Sequence, residues 1–276
     1  MLVNKDIISS RNNNIVKWAS SLADKKGRAS EGAFIAEGEK LTFEAVRADL
    51  PVTHVFVTEG RADILLPKLR EELVKDIYEK TTVYILSESA FEKISTEKAP
   101  QGIICVIKHL DFFRNMDIIY KEEFFLRDGE RALALCSLRD PGNLGSVIRS
   151  AVAFGVEHII LTSDCADIYN PKTVRSAMGS LFKIRATIVN DFKSFINASR
   201  EVGRRIFAAE LTEKAKSLKE IDVKANDVFI IGNEGHGIPE DVSALCDGSV
   251  YIPISQKTES LNASVAAAIF MWEQNK

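Results

Sequence analysis

"RALALCSLRDPGNLGSVIRSAVAFG", residues 131–155, joins a short apolar run, a turn rich in proline and glycine, and a helical repeat of small and apolar residues. The alternation then recurs. "HIILT" (158–162) precedes "PKTVRSAMGSLF" (171–182), "ATIV" (186–189) precedes "FKSFINASREVG" (192–203), and "RRIFAAEL" (204–211), "DVFIIG" (227–232) and "SVYIPI" (249–254) follow as strands. A short helix is expected after Pro239 and a last one from about Ser260 to Gln274. Short apolar strands separated by helices specify an α/β fold whose mostly parallel sheet is covered on both faces. In such sheets ligands bind outside the carboxyl ends of the strands.

Upstream, residues 4–24 carry apolar side chains at helical spacing (Ile7, Ile8, Ile15, Val16, Trp18, Ala19, Leu22) and are expected to form a helix. "SEGAFIAEGEKLTFEAVRA" reads as a strand running into a helix, and "VTHVFVTEG", "TTVYILSE" and "GIICVIKHL" read as further strands with helices near 65–75 and 87–94 between them. "DFFRNMDIIYKEEFFLRDGER" (111–131) is charged and lacks strand periodicity. The expected organisation is a small α/β domain at 1–110, a linker at 111–130 that is a linking helix or is packed by its aromatic residues onto a neighbour, and a larger domain at 131–276.

The 276 residues are 46% hydrophobic and 27% charged, with net charge −3, an ordinary globular composition that excludes a bulk polycation. A nucleic-acid partner would therefore have to meet a local basic patch. One candidate lies in the first thirty residues, where Lys5, Arg11, Lys17, Lys25, Lys26 and Arg28 face only Asp6 and Asp24. A solvated charged face accounts for that segment equally well. Cys105, Cys136, Cys165 and Cys246 are widely spaced, which points to neither a zinc site nor a disulfide framework. "MLVNKDIISS" lacks a signal-peptide core and no apolar run approaches the ~20 residues of a membrane span, so a cytoplasmic protein without a membrane partner is expected.

Three loops after strands carry polar groups. In "RDPGNLG" (139–145) glycine and proline permit a turn, and Arg149 on the helix beyond should lean back over Asn143. In "GNEGHGIPE" (232–240) glycines at 232, 235 and 237 flank Glu234, which lets the backbone approach a ligand beside one carboxylate. In "SQKTESLN" (255–262) Ser260 and Asn262 open the last helix. Taken singly, each has a plain structural explanation: turn chemistry, a solvated glutamate, helix capping. Pro239 follows the glycine loop directly, which disfavours a dinucleotide fingerprint.

Together, "NLGSVIRSAVAFGV" (143–156), "IIGNEGHGI" (230–238) and "YIPISQKTESLNASVAAAI" (251–269) resemble the three signature motifs of the SpoU (TrmH) family of RNA 2′-O-ribose methyltransferases, part of the SPOUT class. "DIYNPKTVRSAMGSLFKI" between them is similar as well, and "KGRASEGAFIAEGEKLTFEAV" resembles the family's accessory RNA-binding domain. The resemblance implies a C-terminal domain tied in a deep trefoil knot, dimerisation through it, and a pocket for S-adenosylmethionine. By motif matching, Gly232, Ile252 and Leu261 would supply backbone contacts to that donor, and no metal is expected. The family assigns hydroxyl activation to Arg149, with Asn143, Glu234, Ser260 and Asn262 orienting arginine, ribose and loops. A guanidinium is always protonated in proteins. The role implied for Arg149 is therefore to fix a substrate phosphate and stabilise developing alkoxide charge, with phosphate or water taking the proton.

One departure is Gln256, where the family's third motif commonly has glycine. The substrate implied is structured RNA, ribosomal RNA before transfer RNA, docked on Arg11, Lys17, Lys25, Lys26 and Arg28. Two rival readings stay open: a non-catalytic RNA-binding or assembly protein on the same scaffold, and a doubly wound nucleotide enzyme. The second would need a glycine-rich phosphate loop that the chain lacks.

Overall fold

The computed structural model describes residues 2–73, 79–119, 124–255 and 257–276, which leaves Gln256 outside the described residues. They fall into two compact units. The first takes in the described residues up to Leu110 together with Asp167–Phe182, and the second comprises the described residues of Asp111–Ala166 and Lys183–Lys276.

The first unit is built on five strands: β1 (Leu2–Ile8), β2 (Ala33–Glu37), β3 (Val52–Thr58), β4 (Thr82–Leu86) and β5 (Ile103–Lys108), in the order β1-β4-β3-β5-β2. β4 runs parallel to β1 and β3, whereas β5 is antiparallel to β3 and β2. Among the described residues the same stretch of chain forms α1 (Asn14–Ser21), α2 (Lys25–Glu31), α3 (Glu39–Arg47), α4 (Glu59–Glu72) and α5 (Glu88–Ile94). The single helix expected over 4–24 is thus a strand followed by a separate helix. The break falls where Ser9–Asn13 interrupts the apolar pattern, and Asn13 caps α1 by accepting from the Ile15 amide at 2.9 Å. Val16, Ala19 and Leu22 pack with Phe56, Phe91 and Ile104 into one core.

Asp167–Phe182, which follows the second unit's early strands in sequence, belongs structurally to this first unit. Tyr169 stacks between Phe34 and His109, with ring centroids at 4.6 and 4.3 Å, and its hydroxyl accepts from the Leu110 amide at 2.8 Å. Arg28 is buried there. Its guanidinium meets Asp167 at 2.5 Å and donates to the carbonyls of Leu22 and Ala23 at 3.0 and 2.6 Å. A side chain so engaged is not presented to RNA, which corrects the expectation for Arg28. Arg11, Lys17, Lys25 and Lys26 are exposed.

The second unit holds eight strands, all paired in parallel: β6 (Phe113–Met116), β7 (Ala132–Leu135), β8 (His158–Thr162), β9 (Arg185–Val189), β10 (Ile206–Ala209), β11 (Lys216–Ser217), β12 (Val228–Ile231) and β13 (Gly248–Tyr251). Their order is β11-β13-β10-β12-β7-β8-β9-β6. β6 lies in the stretch expected to be a linker; it is a short edge strand, half exposed, so it shows no apolar alternation. The central strands "ALAL" and "VFII" are wholly buried, as strands covered on both faces must be.

Helices α6 (Pro141–Ala153), α8 (Phe192–Glu201), α9 (Glu240–Ser243) and α10 (Ala263–Gln274) belong to this unit, while α7 (Pro171–Ser176) belongs to the first. Phe270 of α10 packs on Phe229 of β12 at 4.8 Å, and burying such a ring contributes about 2–3 kcal/mol. At the far end of α10, the Gln274 amide donates to the carbonyls of Ala132, Ala225 and Asp227 at 3.4, 3.3 and 2.5 Å. All four cysteines are free thiols, and burial pushes that of Cys105 up to about 12. Among the described residues no helix is long and apolar enough to cross a membrane.

Candidate functional site

The C-terminal rim of the second sheet gathers the three polar loops. After β7 the chain passes through Ser137, whose φ of 57° is left-handed. That residue is held in place by its amide, which donates to Thr162 Oγ1 at 2.8 Å, and by its hydroxyl, which donates to Asp164 at 2.6 Å. Burial works against ionisation of Asp164, but the hydroxyls of Ser137 and Thr162 and the guanidinium of Arg139 hold its carboxyl below the usual range. Asp140 then caps α6, accepting from the Asn143 amide at 2.8 Å, and Pro141 takes the first helical position.

Asn143 therefore sits in the first turn of α6, not in a turn before it. It lies six residues from Arg149 on one helix, about 9 Å along the axis and about 120° around it. Arg149 is exposed and makes no hydrogen bond or ion pair among the described residues, so the expected convergence of the two side chains does not occur within this chain.

Asn143 converges instead with the other two loops. Its Nδ2 donates to Glu234 Oε1 at 2.5 Å, and its Oδ1 accepts from Asn262 Nδ2 at 3.1 Å. Asn262 is also the cap of α10, its Oδ1 accepting from the amides of Ser264 and Val265 at 2.9 and 3.4 Å. Ser260, the alternative cap, lies two residues before the actual cap, Asn262; its carbonyl accepts from Thr258 Oγ1 at 3.3 Å.

The glycine loop is closed on itself. Asn233 and Gly237 exchange backbone hydrogen bonds at 3.0 and 2.9 Å, while Asn233 Oδ1 accepts from the amides of Gly235 and His236. Asn233 Nδ2 donates to the Ser137 carbonyl at 2.9 Å, which ties this loop to the end of β7. Sequence reading passed over Asn233; a side chain able to satisfy three backbone groups at once was its signal. Gly232 is obligatory, because a Cβ there would lie 2.5 Å from the Gly237 carbonyl carbon.

Gly232, Ile252, Ser260 and Leu261 line one cavity of about 220 Å³, together with Glu234 and apolar side chains from β10, β12, β13 and α10. An apolar cleft with a few fixed polar groups, outside the carboxyl ends of parallel strands, is where an α/β fold binds a nucleoside-like ligand. The apolar walls and the closely approached backbone at Gly232 fit the adenosyl part of S-adenosylmethionine. Among the described residues no group of three or more His, Cys, Asp or Glu side chains is placed to hold a metal ion.

Sheet, cavity and polar cluster define an α/β protein with a nucleoside-like site at its strand ends, and comparison with known proteins supplies the class. Residues 130–272 match the model of the SpoU rRNA Methylase family, and residues 13–105 match the MRM3-like substrate binding domain. The chain belongs to the SpoU rRNA methylase family. It is 30% identical to the 23S rRNA (guanosine(2553)-2′-O)-methyltransferase RlmP of Bacillus subtilis (strain 168), covering 97% of this chain and 98% of that protein. It is 29% identical to the 23S rRNA (uridine(2479)-2′-O)-methyltransferase of Streptomyces viridochromogenes, covering 96% and 90%. The crystal structure of an AdoMet-bound rRNA methyltransferase from Sinorhizobium meliloti superposes with a TM-score of 0.83 at 28% identity, covering 99% of this chain and 97% of that one.

Proposed function

We propose that this protein methylates a ribose 2′-hydroxyl of ribosomal RNA, using S-adenosylmethionine as donor. The carrying observation is that Asn143, Glu234 and Asn262, from three distant segments, meet by hydrogen bonds at 2.5 and 3.1 Å beside the cavity lined by Gly232, Ile252, Ser260 and Leu261. The donor supplies an electrophilic methyl group when bound. The asparagine–glutamate chain fixes the rim of the cavity, so the ribose would meet a preorganised surface. Arg149, exposed and without a partner among the described residues, holds the phosphate of the target nucleotide and stabilises charge developing on its oxygen. Preference for RNA is inherent, since only RNA carries the hydroxyl.

The substrate reading extends to the first unit, where Arg11, Lys17, Lys25 and Lys26 form the cationic face that docks structured RNA. Ribosomal RNA is preferred to transfer RNA because the RlmP protein and the Streptomyces viridochromogenes enzyme, which both match along the two units, are named as 23S rRNA enzymes. A homodimer through the second unit is part of the reading. α10 is apolar on every side, yet Val265 and Trp272 remain 47% and 53% exposed. The trefoil knot is carried likewise, supported by a strand order in which β10 lies beyond β12. A cytoplasmic location suits four free thiols and a ribosomal substrate.

Incubation with methyl-labelled S-adenosylmethionine and total RNA, followed by mapping of the labelled nucleotide, tests the proposal. Label on a single ribose of 23S RNA is expected. Donor binding without transfer to any RNA would instead favour the non-catalytic alternative. Arg149→Lys keeps the charge but loses the planar fork, and near-normal turnover in that variant would remove the role given to Arg149.

A further inference from the structure

One wall of the cavity lies beyond the reach of the three motif loops. Glu210 directly follows β10, its amide donating to the Val250 carbonyl at 3.1 Å, and its side chain lines the same cavity as Gly232 and Leu261. Glu210 Oε1 accepts two hydroxyls, one from Ser243 in α9 and one from Ser249 in β13 at 2.7 Å. Oε2 has no hydrogen-bond partner among the described residues. Two donors from separate elements fix the carboxylate's orientation before any ligand arrives, and a second strong acceptor is left open.

Position and chemistry narrow what that acceptor takes. β10 is two strands from β7 in the sheet, about 10 Å at the usual strand spacing, so Glu210 stands apart from the Asn143 cluster where transfer would occur. It adjoins Ala209, Leu211 and Val250, the apolar side chains that would flank a purine. The group bonded directly to a purine in a nucleoside is ribose, whose vicinal hydroxyls are neutral donors. The cavity lining contains Glu210, Glu234 and Glu259 and no lysine, arginine or histidine, which disfavours a phosphorylated ribose. An acidic side chain on ribose hydroxyls serves the same purpose in dinucleotide folds, by a different loop.

We propose that Glu210, braced by Ser243 and Ser249, accepts hydrogen bonds from the ribose hydroxyls of the bound donor and makes the cavity selective for a ribonucleoside. The proposal rests on the donor reading of the cavity.

Calorimetric titration of the full chain with S-adenosylhomocysteine and with its 2′,3′-dideoxy analogue tests it without and with substitution. In the unsubstituted protein the ribo compound is expected to bind tighter by roughly 10- to 100-fold, the range for hydrogen bonds to a charged group. In Glu210→Ala that ratio should collapse towards one, with the dideoxy compound binding as before. A ratio that survives Glu210→Ala, or a loss of equal size for both compounds, overturns the role of Glu210 while leaving the donor site standing. Failure of both compounds to bind the unsubstituted protein overturns the donor reading itself. Should Glu210→Ala fold poorly, the pair Ser243→Ala and Ser249→Ala keeps the carboxylate and removes its braces. The ratio should then fall, and a ratio unchanged in that pair counts against the proposal.

Discussion

Substituting Gly232 by alanine adds one methyl group where the chain is least able to yield. The new Cβ would lie 2.5 Å from the Gly237 carbonyl carbon, 2.7 Å from its oxygen and 2.8 Å from Ile238 Cγ1. Two of the three atoms are backbone, so no rotamer change relieves the clash; reaching ordinary van der Waals separation takes a shift of about 1 Å. That shift breaks the Asn233–Gly237 pair, now at 3.0 and 2.9 Å, and carries Glu234 away from Asn143. Overpacking of this kind costs about 1–3 kcal/mol. Misplacing a binding surface by about 1 Å costs on the order of 100-fold in function.

Gly235→Ala is the matched control. Its Cβ meets only Asn233 Oδ1, at 3.5 Å, which is normal contact. Calorimetry with S-adenosylhomocysteine and a thermal melt of both variants should show a loss of roughly 10- to 100-fold in affinity for Gly232→Ala with a modest fall in Tm. Gly235→Ala should bind within about twofold of the unsubstituted protein, as expected where no packing changes. Normal binding by Gly232→Ala, or equal damage in both variants, would refute the argument from close approach.

Two further expectations concern stability. His158 is buried on β8 with Nε2 2.8 Å from the Thr187 hydroxyl, and burial together with the nearby Arg114 and Arg204 pushes its imidazole down to about 4. Glu130 lies 3.4 Å from Nδ1, but its carboxylate is already held by Arg185 and by the Arg127 amide. Because the folded value lies below the unfolded one, the unfolded chain takes the proton first. Stability is therefore whole above about pH 6.5 and is lost as pH falls from there towards 4, by about 3 kcal/mol in all. Urea melts across that range should show this slope, and His158→Gln should flatten it; parallel slopes in the two proteins would count against it. Arg28→Ala leaves Asp167 without its cation and two carbonyls unpaired, a loss of about 3–5 kcal/mol by denaturant melt. Lys25→Ala and Lys26→Ala should keep stability within about 0.5 kcal/mol yet lower RNA affinity, each reducing the salt slope by about one. Unchanged stability in Arg28→Ala would dissolve the distinction between a structural and a docking arginine.

The alternation of strand and helix was legible because buried parallel strands such as Ala132–Leu135 and Val228–Ile231 are continuous apolar runs bounded by turn residues. It failed at the edges. β1 pairs on one side only and its isoleucines happened to match the helical spacing of Ile15 and Val16, so the polar interruption at Ser9–Asn13 was overridden. β6 is four residues with two exposed, too short for any period to register. The placement of Asp167–Phe182 with the first unit depends on pairs such as Arg28 with Asp167, 139 residues apart, which no local pattern encodes.

The candidate site was legible only as a joint pattern. Asn143 and Glu234 are 91 residues apart and Asn143 and Asn262 are 119 apart, and each alone reads as a turn or a cap. Asn262 in fact does both, since its two side-chain ends face different partners. Glu210 was passed over because a carboxylate at a strand end is what any surface would show; only the two serines on one oxygen single it out.

α10 behaves as a strut about 18 Å long between opposite rims of its sheet. Asn262 anchors one end among the polar loops, and Gln274 is stitched to the starts of β7 and β12 at the other. Gln274 is remote from any donor or ribose, yet it fastens the far tip of the helix whose near tip carries Asn262, the side chain that meets Asn143.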